Sequence, residues 1–155
     1  MTAIDTTAPS QTESITFEFD LHHAPEKVWR ALTTPKLMAR WMMEPIGFEP
    51  VAGNIFEMKT RPMPGQNFSG HIRGEVLEVA APELLRMTWN DAQMDTPTGW
   101  MISWQLRPEG HGTRILFSHS GFDPDNPLMQ RARSIMSPGW AAMLDSLETV
   151  LAEAN

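Results

Sequence analysis

The side chains with which this chain could do chemistry are five histidines, a scatter of serines and carboxylates, and no cysteine. His119 is the most pointed of them. It lies in RILFSHSGF (114–122), which reads as a strand that runs into a polar patch and then a glycine. Side chains alternate along a strand, so Ile115, Phe117 and His119 share one face. A histidine thus stands where the pattern wants a third apolar residue. Four roles are open to it: a general base, a metal ligand, a polar contact in a cavity, or a buried polar group that closes the end of a sheet. A general base needs an orienting partner and a proton within reach. The local sequence offers only Ser118 and Ser120, which face the other way. The expectation is therefore a structural histidine, hydrogen-bonded at the sheet end to backbone near the last helix.

The other chemistries find less support. His22 and His23 are adjacent, so on a strand they point to opposite faces; His71 and His111 stand alone, and no HxxxH or HExxH spacing occurs. With cysteine absent as well, no metal is expected. There is no GxSxG elbow. Gly110-His111-Gly112 joins two strands and so is not a phosphate loop. Glu44, Glu49 and Glu57 cluster in sequence, but Glu57 falls on a polar face and no carboxylate pair emerges. No catalytic residue and no cofactor are assigned.

Composition narrows the class further. Net charge is −7 and the 12 Lys and Arg form no run, which argues against nucleic acid as a partner. No apolar run approaches the roughly 20 residues that span a bilayer, so no membrane is expected. The first residues carry neither a basic nor an apolar secretory region, and the expected compartment is the cytoplasm. There are 12 Met and 6 Trp but no Tyr. Soft methionines and large indoles suit a Met-rich core or a ligand cavity lined with adaptable groups.

These residues need elements to position them. Residues 1–13 read as a disordered tail and 14–155 as one domain. ITFEFDLH (15–22) alternates as a half-buried strand. Pro25 opens a first short helix carrying Val28, Trp29 and Leu32; Thr34 caps a second, opened by Pro35 and carrying Leu37, Met38 and Trp41. Strands follow at 53–60, 71–79 (with a bulge at its internal glycine), 84–89, 100–106 and 113–119. After a turn or two of helix from Pro127, Ser137 caps a long helix starting at Pro138, with Trp140, Leu144, Leu147 and Leu151 as its apolar stripe. The expected class is α+β: a six-stranded antiparallel sheet whose apolar face is covered by the last helix.

Four stretches in this order, PEKVWRALTTPKLMARWM, GEVLEVAAPELLRMTW, GTRILFSHSGF and PGWAAMLDSLETVL, resemble the START-like (SRPBCC) superfamily. Within it they are most similar to the branch related to the C-terminal domain of the activator of Hsp90 ATPase. The resemblance spans about residues 15–152 and implies a helix-grip fold, with a curved sheet wrapped on the long C-terminal helix and a deep cavity between them. Members bind hydrophobic small molecules, act as cyclases, confer self-resistance or assist a chaperone. The resemblance therefore implies Trp41, Phe56, Met58, Met87, Trp89, Trp104, His119 and Leu144 as ligand-binding residues, with Trp29 and Trp140 in the packed core. The expected function is noncatalytic binding of a small hydrophobic molecule. One alternative is a protein-interaction module of the Hsp90-activator type with a chaperone partner; another is a cyclase or hydrolase. A homodimer is compatible with each.

Overall fold

Alternation in the first strand sets the architecture. A computed structural model describes residues 13–59, 71–92 and 99–153. In it β1 (Ser14–Leu21) buries Ile15, Phe17, Phe19 and Leu21 and turns the intervening polar residues outward. The tail expected over residues 1–13 lies outside the described residues except for Glu13, whose carbonyl accepts the backbone N–H groups of Gly121 and Phe122.

Two helices follow, α1 (Pro25–Thr33) and α2 (Pro35–Trp41). Each starts with proline at the position where its missing N–H is not needed. Thr34 does precede α2, but its hydroxyl makes no capping bond. The buried residues are Val28, Ala31 and Leu32 on α1 and Met38 and Trp41 on α2. Trp29, expected in the core, is only partly buried and packs on its rim. The buried stripe of α1 is narrow and is filled by its smaller neighbours.

The remaining strands are β2 (Glu44–Ile46), β3 (Ile55–Lys59), β4 (His71–Ala80), β5 (Leu84–Thr88), β6 (Asn90–Asp91), β7 (Met101–Glu109) and β8 (Gly112–Ser120), before the terminal helix α3 (Pro127–Glu153). All pairings are antiparallel, in the order β1-β8-β7-β5-β4-β3-β2, with β6 beside β4. The expected α+β helix-grip arrangement is the one observed. Two strands, β2 and β6, add to the six read from the sequence. At three and two residues they are too short to display alternation.

Two local expectations are corrected. Gly74 was the expected bulge in β4, yet it pairs regularly with Phe56, and the register shifts instead between Val76 and Glu78. Gly74 serves close approach: a Cβ there would run into the Thr88 carbonyl and lie 2.6 Å from Cζ of Phe56. The terminal helix does not start at Pro138; it runs unbroken from Pro127 with Pro138 inside it. The side chain of Asn126 accepts from the N–H groups of Leu128 and Met129 at 3.0 and 3.3 Å and caps that earlier start. Proline at 138 forfeits one bond to the Ser134 carbonyl. Ser134, Pro138 and Gly139 are all exposed, so water can take that carbonyl and the helix continues.

Helix α3 therefore has two unlike halves. From Trp140 onward it buries Trp140, Leu144, Leu147, Val150 and Leu151, and this half grips the sheet. Before Trp140 it buries no residue fully, and the Arg133 guanidinium ties it to the Ser14 carbonyl at 2.8 Å.

Two glycine substitutions should have opposite signs. Gly74→Ala forces β4, Thr88 and Phe56 apart and should cost about 1–3 kcal/mol in urea unfolding. Gly139→Ala meets nothing within 4 Å and should raise stability by about 0.5–1 kcal/mol, the usual gain within a helix. A neutral Gly74→Ala would show that the sheet yields at this point.

Candidate functional site

Cross-strand register brings the inward residues together. Phe117 on β8 stands between Phe17 of β1 and Trp104 of β7, and His119 stands between Ile15 and Ile102. Leu85 of β5 lies opposite Trp104, and Met87 opposite Ile102. Helix α3 lays Trp140 across this face. Ring centroids are 4.5 Å apart for Trp104–Phe117 and for Phe117–Trp140, 5.7 Å for Trp89–Trp140 and Trp41–Trp104, and 6.2 Å for Trp104–Trp140. Such tilted and edge-on pairs add about 0.5–1.5 kcal/mol each beyond burial. Trp41 also donates its indole N–H to the Ala31 carbonyl at 2.8 Å, which fastens α2 to α1.

The seven apolar residues singled out in the sequence, Trp41, Phe56, Met58, Met87, Trp89, Trp104 and Leu144, are all buried in one contiguous core. Trp41, Trp89 and Trp104 share the aromatic cluster around Trp140. Phe56 makes its ring contact elsewhere, with Phe48 at 5.3 Å. A groove of about 340 Å³ between the start of β5 and the end of β7, lined by residues such as Leu84, Gln105 and Arg107, includes none of these residues.

His119 is fully buried, and the indole N–H of Trp140 donates to its Nδ1 at 3.0 Å. The expected anchor was backbone near the last helix; the actual one is a side chain on it. Parity could place the imidazole inward, but a partner 21 residues away depends on how α3 lies on the sheet. Gly121 then turns the chain with φ +103, and a Cβ there would come within 2.8 Å of the Gly99 backbone. The turn brings Phe122 to 4.7 Å from the imidazole, and Trp100 lies at 5.2 Å. Alternation over 100–106 places Trp100 inward, and it is buried. Phe122 lies beyond the strand, where alternation no longer applies, and its place beside the imidazole was not legible.

The electrostatics follow from this enclosure. Burial pushes the His119 pKa down to about 3, since an imidazolium has no water to solvate it. The ring is neutral at pH 7. With Nδ1 accepting from Trp140, its proton resides on Nε2. Nε2 has no hydrogen-bond partner. At the surface, His71 pairs with Glu57 at 2.8 Å, Lys27 donates to His23 at 3.1 Å, and Arg114 spans Glu18 and Asp20. Among the described residues no group of three His, Asp or Glu could hold a metal ion, and no helix is long and apolar enough to cross a membrane.

A long helix gripped by a curved antiparallel sheet, over a face of aromatics and one neutral histidine, defines a helix-grip protein. Residues 22–152 match the family model described as activator of Hsp90 ATPase homolog 1-like protein, and the chain belongs to that family. Among solved structures it is similar to protein MLL2253 from Mesorhizobium loti, at 30% identity over 92% of this chain and 98% of that one, with a TM-score of 0.77. It also resembles CalU16 from Micromonospora echinospora (23% identity, 89% and 75% covered, TM-score 0.71). The Aha1 dimer from Colwellia psychrerythraea is similar at 22% identity, with 89% and 95% covered and a TM-score of 0.72. No curated protein matches the sequence.

The buried imidazole makes stability depend on pH. Its folded pKa of about 3 lies below the ordinary 6.5, so between these values the unfolded chain binds more protons. His119 therefore leaves stability intact above pH 6.5 and erodes it as pH falls from 6.5 toward 3, by up to about 1.4 kcal/mol per pH unit. Urea unfolding of the parent and His119→Gln from pH 7 to pH 4.5 should show their difference shrinking with acidity. Parallel curves would mean that the imidazole titrates normally in the fold. Trp140→Phe should cost about 1–3 kcal/mol at pH 7, because it leaves Nδ1 buried without a donor.

Proposed function

We propose that this protein binds a small, mainly apolar molecule between the concave face of the sheet and α3, and does not transform it. The observation that carries this reading is the chemistry of the inward face. Trp41, Met87, Trp89, Trp104 and Leu144 offer apolar area on the face that carries His119, one of three buried polar side chains among the described residues, with Asp91 and Thr113. Pockets for small molecules have this make-up: apolar walls and few polar groups. Catalysis finds little purchase there. A general base works best with a pKa near the operating pH, whereas His119 is a weak base and its acceptor nitrogen is taken by Trp140. The cyclase or hydrolase reading would need a second acid or base acting with His119, whose hydrogen-bond partner is instead the Trp140 indole.

A second reading has an observation of its own. Ile46, Val51 and Ile55 are about half exposed, and Ile46 and Ile55 lie on the edge pair of strands β2 and β3. An apolar patch at an open edge suits protein docking, and the family points to an Hsp90-type chaperone as the partner; a second copy of the chain could use the same edge. Ile55→Lys separates the readings, since it should weaken a protein complex and leave small-molecule binding alone.

Titration with naphthalene, fluorene and a long-chain fatty alcohol should quench tryptophan emission saturably for at least one probe. Trp104→Phe should reduce the response. Absence of quenching across chemically diverse apolar probes would remove the ligand-binding reading.

A further inference from the structure

The two nitrogens of His119 have unequal fates. Nδ1 accepts from Trp140. Nε2 carries the proton and, fully enclosed, has no hydrogen-bond partner. Buried donors are nearly always paired, and one left unpaired sacrifices stability. The fold places this cost on the face where the ligand is read to lie, beside the rings of Trp100 and Phe122.

We infer that the Nε2–H of His119 is the polar anchor for the ligand, and that the ligand is an apolar ring system bearing an uncharged oxygen acceptor, such as a ketone or quinone carbonyl. The inference rests on the ligand-binding reading above and names its chemistry. Three features define the class. The anchor is a donor, so its complement is an acceptor. Among the described residues the buried polar and charged ones are Asp91, Thr113 and His119, with no Lys or Arg, so a carboxylate or phosphate would enter beside His119 without a compensating charge from them. The surrounding side chains are aromatic, and flat rings stack well on them. Trp140 has a positioning role: by occupying Nδ1 it fixes the tautomer that presents Nε2–H.

Three probes of nearly one shape test this: 9-fluorenone, fluorene and fluorene-9-carboxylate. The parent should bind fluorenone roughly tenfold or more tightly than fluorene, the worth of one buried hydrogen bond, and the carboxylate no tighter than fluorene. In 15N-labelled protein the Nε2–H resonance should move with fluorenone and stay with fluorene. His119→Asn keeps an acceptor near the Nδ1 position and, being shorter, leaves no donor at the Nε2 position, so the ketone preference should vanish. His119→Gln keeps a donor near the Nε2 position and should retain a preference. Equal affinity for fluorenone and fluorene with an unmoved Nε2–H resonance overturns the inference while leaving the ligand-binding reading standing. Tightest binding by the carboxylate also overturns it. Binding of none of the three overturns the ligand reading itself, and this inference with it. The resonance measurement uses the parent protein, so a variant that fails to fold does not decide the matter.

Discussion

The hydrogen bond from the Trp140 indole to His119 joins the two halves of the fold at their least forgiving point. On one side is the sheet, whose β8 is clamped between β1 and β7. On the other is the gripping half of α3, which begins at Trp140. The bond satisfies two buried polar atoms at once, and it fixes which turn of α3 lies over the end of β8. Hydrophobic burial has no comparable directionality. The stripe of Leu144, Leu147 and Leu151 could press on the sheet in several registers; the indole and imidazole meet in one.

Much of the remaining structure conforms to that contact. The rings of Trp89, Trp104 and Phe117 pack around Trp140, and Trp41 reaches the same cluster from α2. Proline and glycine immediately precede Trp140. They separate a helical half that is fixed by the core from a half held at the rim by Arg133 and the Asn126 cap. Interior proline is tolerated because its lost bond faces solvent, and the turn that weakens the helix lies outside the packed face.

The same contact determines what the site can do. By accepting from Trp140, the imidazole gives up the lone pair a general base would use, and burial keeps it neutral over the physiological range. What is left is a buried N–H donor among aromatic rings. Relatives of this fold share the scaffold at 22–30% identity. A scaffold of this kind leaves chemistry to the few polar side chains each member places inside.

Alternation in β1, β5, β7 and β8 declared which residues face inward, including His119, because a strand has a period of two whatever its neighbours are. The stripe of α3 was equally plain, as was the order of the major elements and the likeness to the helix-grip superfamily. Strands β2 and β6 were hidden by their brevity. The start of α3 was misplaced because Asn126-Pro127 and Ser137-Pro138 carry the same local signature; exposure of the second turn, a tertiary fact, decided between them. Gly74 looked like a bulge and proved to be a close approach, since the crowding atoms belong to Phe56 and Thr88 on other strands. The partner of His119, Trp140, and the ring of Trp100 came from segments distant in sequence, and Phe122 was brought back onto the imidazole by the turn at Gly121. A sequence declares which way a side chain points because that is set by local backbone geometry. What it meets there is set by the docking of whole elements, and only the tertiary structure decided that the imidazole would have one nitrogen bound and the other free.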